Sequence, residues 1–138
     1  MSDASGGTPS DTTPARGVVV AHGELARGLV SAARQIAGGA ADALSTLSNQ
    51  GKAPDALRAE IDELAGDDPV VVFVDLDSGS CGMAALSCCR DRVRRVVVAG
   101  VNLAMLLDFL FHRELPLEEL AERLVSTGRA GIASPAAR

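Results

Sequence analysis

Gly17-Val18-Val19-Val20-Ala21-His22-Gly23-Glu24-Leu25-Ala26 decides the fold. A short β-branched run with no polar member reads as a strand buried on both faces. It stops at His22-Gly23, and a helical pattern follows at once. Leu25, Leu29, Ala32, Ala33 and Ile36 recur at helical spacing over 24–37, and Gly38-Gly39 ends the run. A buried strand followed directly by an amphipathic helix is half of a βαβ unit. It puts one imidazole at the carboxyl end of the first strand, where open α/β sheets collect ligands and chemistry. Histidine titrates nearest neutral pH of the common side chains and can act as a nucleophile there.

The same alternation runs outward from that stretch. Residues 43–47 alternate weakly and read as a strand. Gly51-Lys52-Ala53-Pro54 is a loop, and Pro54 suits the first turn of a helix to Leu64, with Leu57, Ile61 and Leu64 on one face. Gly66-Asp67-Asp68-Pro69 breaks the chain. Residues 70–74 give the strongest strand signal, followed by a small-residue turn from Asp75 to Gly82 and a helix from Met83 to Arg92. Residues 95–99 form another buried strand, ending in Gly100-Val101-Asn102. A largely apolar helix covers 103–111. A last helix starts at Pro116, runs to Ser126 and is capped near Gly128. This order predicts an α/β fold, doubly wound, with a mainly parallel sheet and helices on both faces.

Composition narrows the function. The chain has 138 residues, enough for one domain with a real core. Aromatic residues make up 2 % of it, with no Trp or Tyr, so the core is aliphatic and base stacking has no platform. The net charge of −5 does not suit a sequence-blind nucleic-acid binder, and no nucleic-acid partner is expected. Arg90-Asp91-Arg92-Val93-Arg94-Arg95 reads as a solvated face. Cys81, Cys88 and Cys89 are odd in number and lack a framework spacing; they read as reduced thiols of a cytoplasmic protein. No CxxC and no His/Cys cluster is visible along the chain, so neither a metal nor a cofactor is expected. No signal pattern or membrane-length apolar run is present. Residues 1–15 are Ser, Gly, Thr, Pro and Asp in the main and read as a disordered tail. The domain is expected over 16–134, with a short tail at 135–138.

Three strand ends carry groups able to do chemistry: His22, then Asp75 with Ser78-Gly79-Ser80, then Gly100-Val101-Asn102. Parallel neighbouring strands would bring them to one edge of the sheet. A carboxylate beside an imidazole fixes its tautomer. A Gly/Ser turn opening a helix offers backbone N–H groups to an anion. Together they describe a histidine able to hold a phosphoryl group. His112, late in a helix, reads instead as a partner of the helix dipole. A receiver-like domain phosphorylated on Asp75 is disfavoured. It needs an acidic pair after the first strand and a Lys after a later one, whereas His22 ends the first strand and Lys52 lies in a loop.

These residues are similar to a known family. Val20-Ala21-His22-Gly23, Val74-Asp75 with its Gly/Ser turn, Ala99-Gly100-Val101-Asn102-Leu103-Ala104-Met105-Leu106 and Ser126-Thr127-Gly128-Arg129-Ala130-Gly131-Ile132 follow one another as in the family. The chain resembles the enzyme IIA domain of the mannose family of the sugar phosphotransferase system over about residues 17–133. The resemblance implies that His22 accepts a phosphoryl group from the carrier protein HPr and passes it to a IIB domain. It implies that Asp75 holds the imidazole and that amides around Ser78, Gly79 and Ser80 bind the phosphate. It further implies a homodimer with an exchanged C-terminal antiparallel strand, and peripheral association with a membrane permease. The turn Asp77-Ser78-Gly79-Ser80-Cys81 departs from the family's usual Gly-Gly-Ser-Pro ending. Asp77 adds a carboxylate near the phosphate, which opens the alternative of a regulatory relative that binds partners according to phosphorylation state or has lost transfer.

Overall fold

The computed structural model of the chain describes residues 13–90 and 94–137. Four strands and five α-helices alternate along it. They are β1 (Arg16–Ala21), α1 (Leu25–Ala37), β2 (Leu44–Ser48), α2 (Pro54–Ala65), β3 (Val70–Val74), α3 (Gly79–Arg90), β4 (Arg95–Ala99), α4 (Leu103–Leu110) and α5 (Leu117–Ala130). The strands lie in the order β2-β1-β3-β4, and every pairing is parallel. The chain steps from β1 to one side for β2, then crosses back for β3 on the other side. The winding therefore reverses between β1 and β3, and a crevice opens at their carboxyl ends.

Position in the sheet explains the strand sequences. β1 and β3 are central; Val18–Ala21 and Val70–Val74 are buried throughout. The edge strands β2 and β4 are half-buried and more mixed in sequence. Alternation divides the core in two. Val19, Ala21, Val71 and Phe73 face α1, α4 and α5, and Val18, Val20, Val70, Val72 and Val74 face α2 and α3. Phe73 and Phe109 meet edge to face, with ring centroids 5.3 Å apart. Elsewhere the core is aliphatic, as the composition predicts.

Several sequence expectations need correction. α3 begins at Gly79, four residues before Met83, because the small residues of the turn pack into the first helical turn. A Cβ on Gly82 would stand 2.6 Å from the carbonyl oxygen of Asp77, so only glycine admits this approach. The far end expected for this helix, Arg92, lies outside the described residues. α5 continues through Gly128 to Ala130, so the stretch expected to form a C-terminal strand starts within a helix. After it come residues with no regular structure and a 3-10 turn, Pro135–Ala137, and all four strands of the described residues are parallel. α4, apolar nearly all round, is covered inside the single chain: each of its residues is buried or half-buried, and α5 supplies much of the cover. Arg95 is no solvated residue. It is 7 % exposed, and its guanidinium binds Asp62 and donates to the carbonyl of Gly66 at 3.1 Å. A charge can be buried here only because α2 supplies that carboxylate and its own C-terminal carbonyl. The expected tail over 1–15 lies outside the described residues as far as Thr12. Ala15 belongs to the fold: it is 1 % exposed and exchanges hydrogen bonds with Arg113.

Candidate active site at the β1–β3 crevice

His22 follows the last residue of β1 and Asp75 the last residue of β3. The strands pair with Val20 opposite Val74, so the two side chains emerge side by side. One carboxylate oxygen of Asp75, Oδ2, accepts twice from His22. The backbone N–H donates at 2.9 Å, and imidazole Nδ1 lies at 2.8 Å. The other oxygen accepts from the backbone N–H of Leu76 at 3.0 Å. Burial pushes the Asp75 carboxyl up, but the hydrogen bonds from His22 and Leu76 outweigh it and hold the pKa below the ordinary value. An ionised Asp75 only accepts, so Nδ1 carries the proton and the lone pair of the neutral ring stands on Nε2. The His22 side chain is 45 % exposed and that of Asp75 11 %. The ring is held from below and open to a partner above.

Nε2 points at the start of α3. Gly79 has φ +84, and a Cβ built on it would lie 3.9 Å from Nε2. The backbone thus approaches the imidazole closely where a side chain would narrow the space. α3 opens at Gly79 and runs for 12 residues, so its first N–H groups and the positive end of its dipole lie beside Nε2. Ser80 is half-buried and binds Asn49, whose Nδ2 donates to Ser80 Oγ at 3.3 Å. Asn49 Oδ1 accepts from the Gly23 N–H, also at 3.3 Å. Asn49 follows β2 and so joins the turn after His22 to the first turn of α3. No local signal in the sequence singles out Asn49, because β2 alternates only weakly and its end does not stand out as a strand end.

The structure therefore brings His22, Asp75, Gly79 and Ser80 together. Asp77 and Ser78 are exposed in the turn before α3, and their side chains take no part in the hydrogen bonds joining His22, Asp75, Asn49 and Ser80. The fourth strand end does other work. Asn102 caps α4 by accepting from the Met105 N–H at 3.0 Å, and it donates to the carbonyl of Gly128 at 3.0 Å. His112 sits past the end of α4, with Nδ1 3.0 Å from the Asp108 carboxylate. Cys81, on the first turn of α3, is fully buried, with Sγ 3.9 Å from His22 Nδ1. Burial and the neighbouring Asp75 charge push its thiol pKa up.

Comparison with known proteins agrees with this geometry. The model of a family described as "PTS system fructose IIA component", EIIA-man, matches residues 17–125. Among solved structures, the chain is similar to a mannose/sorbose-specific IIA subunit of the phosphotransferase system from Enterococcus faecalis. The two are 24 % identical with a TM-score of 0.79, covering 88 % of this chain and 94 % of that one. The phosphotransferase system component EIIA of Streptococcus agalactiae is 20 % identical with a TM-score of 0.82, covering 89 % and 98 %. A IIA protein associated with the fucose utilization operon of Streptococcus pneumoniae is 25 % identical with a TM-score of 0.70, covering 89 % and 95 %. No curated protein matches the chain significantly. Among the described residues no helix is long and apolar enough to cross a membrane. The family match covers most of the chain, including both residues of the His22–Asp75 pair, and the chain belongs to the mannose-type IIA family of phosphotransferase-system components.

Proposed function

We propose that this chain is a phosphoryl carrier that accepts phosphate from HPr on Nε2 of His22 and passes it to a IIB domain. The observation that carries the reading is the contact between Asp75 and His22: the carboxylate lies 2.8 Å from Nδ1, and Nε2 faces the start of α3. In the step, the Nε2 lone pair attacks phosphorus of the donor's phosphohistidine. The donor's P–N bond breaks, and its electron pair returns to the donor imidazole. The His22 ring gains positive charge as the bond forms, and Asp75 stabilises it. The phosphoryl oxygens lie over the N–H groups of Gly79 and Ser80, where the helix dipole favours an anion. Transfer between two imidazoles is nearly balanced chemically, so positioning and charge stabilisation do most of what the protein must do. Nothing in the step calls for a cofactor.

The partners follow from this reading. HPr and a IIB domain meet the exposed edge of His22 in turn, at the cytoplasmic face of a membrane permease. A second copy of the chain pairs along β4. Among the described residues no strand covers the outer edge of β4, and an open groove of about 620 Å³ runs beside Val96 and Val97 between α3 and α5. Incubation with phosphoenolpyruvate, enzyme I and HPr, followed by intact-mass measurement, tests the central claim. The expected product is one acid-labile, base-stable phosphoryl group per chain, absent from His22→Ala. Labelling that survives this substitution, or a base-labile adduct, would refute it.

A further inference from the structure

We propose that His22, Asp75 and Cys81 form a site for a thiophilic divalent cation of the zinc class, and that its occupancy blocks phosphoryl uptake. The second half rests on the phosphoryl-carrier reading; the first does not. His22 is distant in sequence from Asp75 and Cys81, and the three converge because β1 and β3 are neighbours and α3 starts beneath them. One ligand atom from each lies within 4.8 Å of the others. Cys81 Sγ is 3.9 Å from His22 Nδ1, and Asp75 Oδ2 is 2.8 Å from the same nitrogen. Tetrahedral zinc, with bonds of about 2.1 Å to nitrogen and oxygen and about 2.3 Å to sulfur, needs N–S and N–O separations of roughly 3.6 and 3.4 Å. The sulfur must close by a few tenths of an ångström and the carboxylate open by somewhat more. The half-exposed His22 ring can supply that by a small rotation. It is also the side from which an ion enters and a water takes the fourth position. Imidazole with thiolate selects zinc or cobalt over magnesium or calcium, which prefer oxygen.

The proton balance links the ion to the chemistry. The cation displaces the Cys81 thiol proton, which leaves to solvent, and takes the lone pair of Nδ1. The proton formerly on Nδ1 moves to Nε2, while Asp75 exchanges its hydrogen bond to the ring for a bond to the metal. A ring metallated at Nδ1 and protonated at Nε2 has no lone pair for phosphorus. Metal and phosphoryl group therefore oppose each other, and by linkage the opposition is reciprocal.

Cobalt(II) is the probe, because thiolate ligation gives a near-ultraviolet charge-transfer band. Added to the reduced full chain without a phosphoryl donor, one equivalent should raise that band. Cys81→Ser should abolish it. His22→Ala, which removes a ligand at a half-exposed side chain, should weaken binding by more than the roughly 10–100-fold that loss of a group orienting a ligand costs. No band in the folded parent would overturn the site. So would a band unchanged in Cys81→Ser, which would place cobalt at Cys88 and Cys89. The second arm uses purified phospho-HPr, so that no magnesium-dependent enzyme is present. Zinc at about ten times its dissociation constant should slow uptake by the parent about tenfold relative to chelator, and the zinc-to-chelator rate ratio should return to near one in Cys81→Ser. Equal parent rates with zinc and with chelator would overturn the antagonism. A parent that takes up no phosphate even in chelator would instead refute the carrier reading, leaving the site to be judged by cobalt alone.

Discussion

At the residue scale, one carboxylate oxygen organises the site. Asp75 Oδ2 fixes both the backbone and the ring of His22, so Asp75→Asn both removes the charge and offers a donor where Nδ1–H needs an acceptor. We expect Asp75→Asn to slow phosphoryl uptake about 10–100-fold, the usual cost of losing a group that orients a histidine. Quenched-flow mass measurement with phospho-HPr reads this directly, and an unchanged rate would show that the hydrogen bond is idle in transfer. Asn49→Ala should slow uptake less, because Asn49 acts through the Gly23 backbone N–H and the Ser80 hydroxyl and not on the ring. Asp77 adds a carboxylate before α3, but it is exposed and outside the hydrogen-bonded group. Converting Asp77 and Ser78 together to Gly should raise the phosphorylated fraction at equilibrium with HPr by no more than about fivefold, since exposed charges interact weakly. An equal fraction in both proteins would mean that Asp77 points away from the phosphate.

At the element scale, the ion pair between Arg95 and Asp62 ties the start of β4 to the end of α2. Burial raises the Asp62 carboxyl, but the Arg95 hydrogen bond and charge, with a contribution from Cys88, hold it below the ordinary 3.8. Burial also opposes the charge on Arg95, and the Asp62 hydrogen bond more than restores it. Asp108 is lowered in the same way; against its burial stand Arg123 and Thr127, which join α4 to α5, and the nearby His112. A carboxyl depressed in the folded state adds stability above its unfolded pKa, and that stability is lost as pH falls through the folded value. Urea denaturation should therefore show stability flat near neutral pH and falling below about pH 4, with a shallower fall in Asp108→Asn. Arg95→Ala leaves Asp62 partly buried without its main partner, at a cost of about 2 kcal/mol, discounted because the Asp62 side chain is 31 % exposed. The double variant with Asp62→Ala should cost less than the sum of the two single ones.

For the molecule as a whole, no strand among the described residues covers the outer edge of β2 or of β4. β2 and β4 flank the sheet, and β4 carries half-buried Val96 and Val97 beside a groove. Covering apolar edge surface is a general drive to association. Sedimentation at micromolar concentration should give the mass of a dimer, and a stable monomer would refute pairing along β4. The apolar surface of α4 adds nothing to that drive, since α1, α5 and the sheet cover it within one chain.

The order of elements was legible because its signals are local. A continuous apolar run marks each central strand, and the 3.6-residue period and terminal glycines mark the helices; the predicted bounds of β3 and β4 match residue for residue. His22 and Asp75 stood out for the same reason, as polar residues directly following such runs. Contacts between segments distant in sequence were not legible. Whether β1 neighbours β3 is a matter of crossover direction, and it alone turns two strand ends into a hydrogen-bonded pair. The burial of Arg95 needed a carboxylate 33 residues away. The approach of Cys81 to His22 needed α3 to start four residues early, against the poor helix propensity of Gly and Ser, because packing of the small first turn against the sheet outweighs that preference. Local sequence set the strands, helices and reactive groups of this chain; long-range packing set which of those groups meet, because that depends on surfaces the separate segments do not share until the sheet has formed.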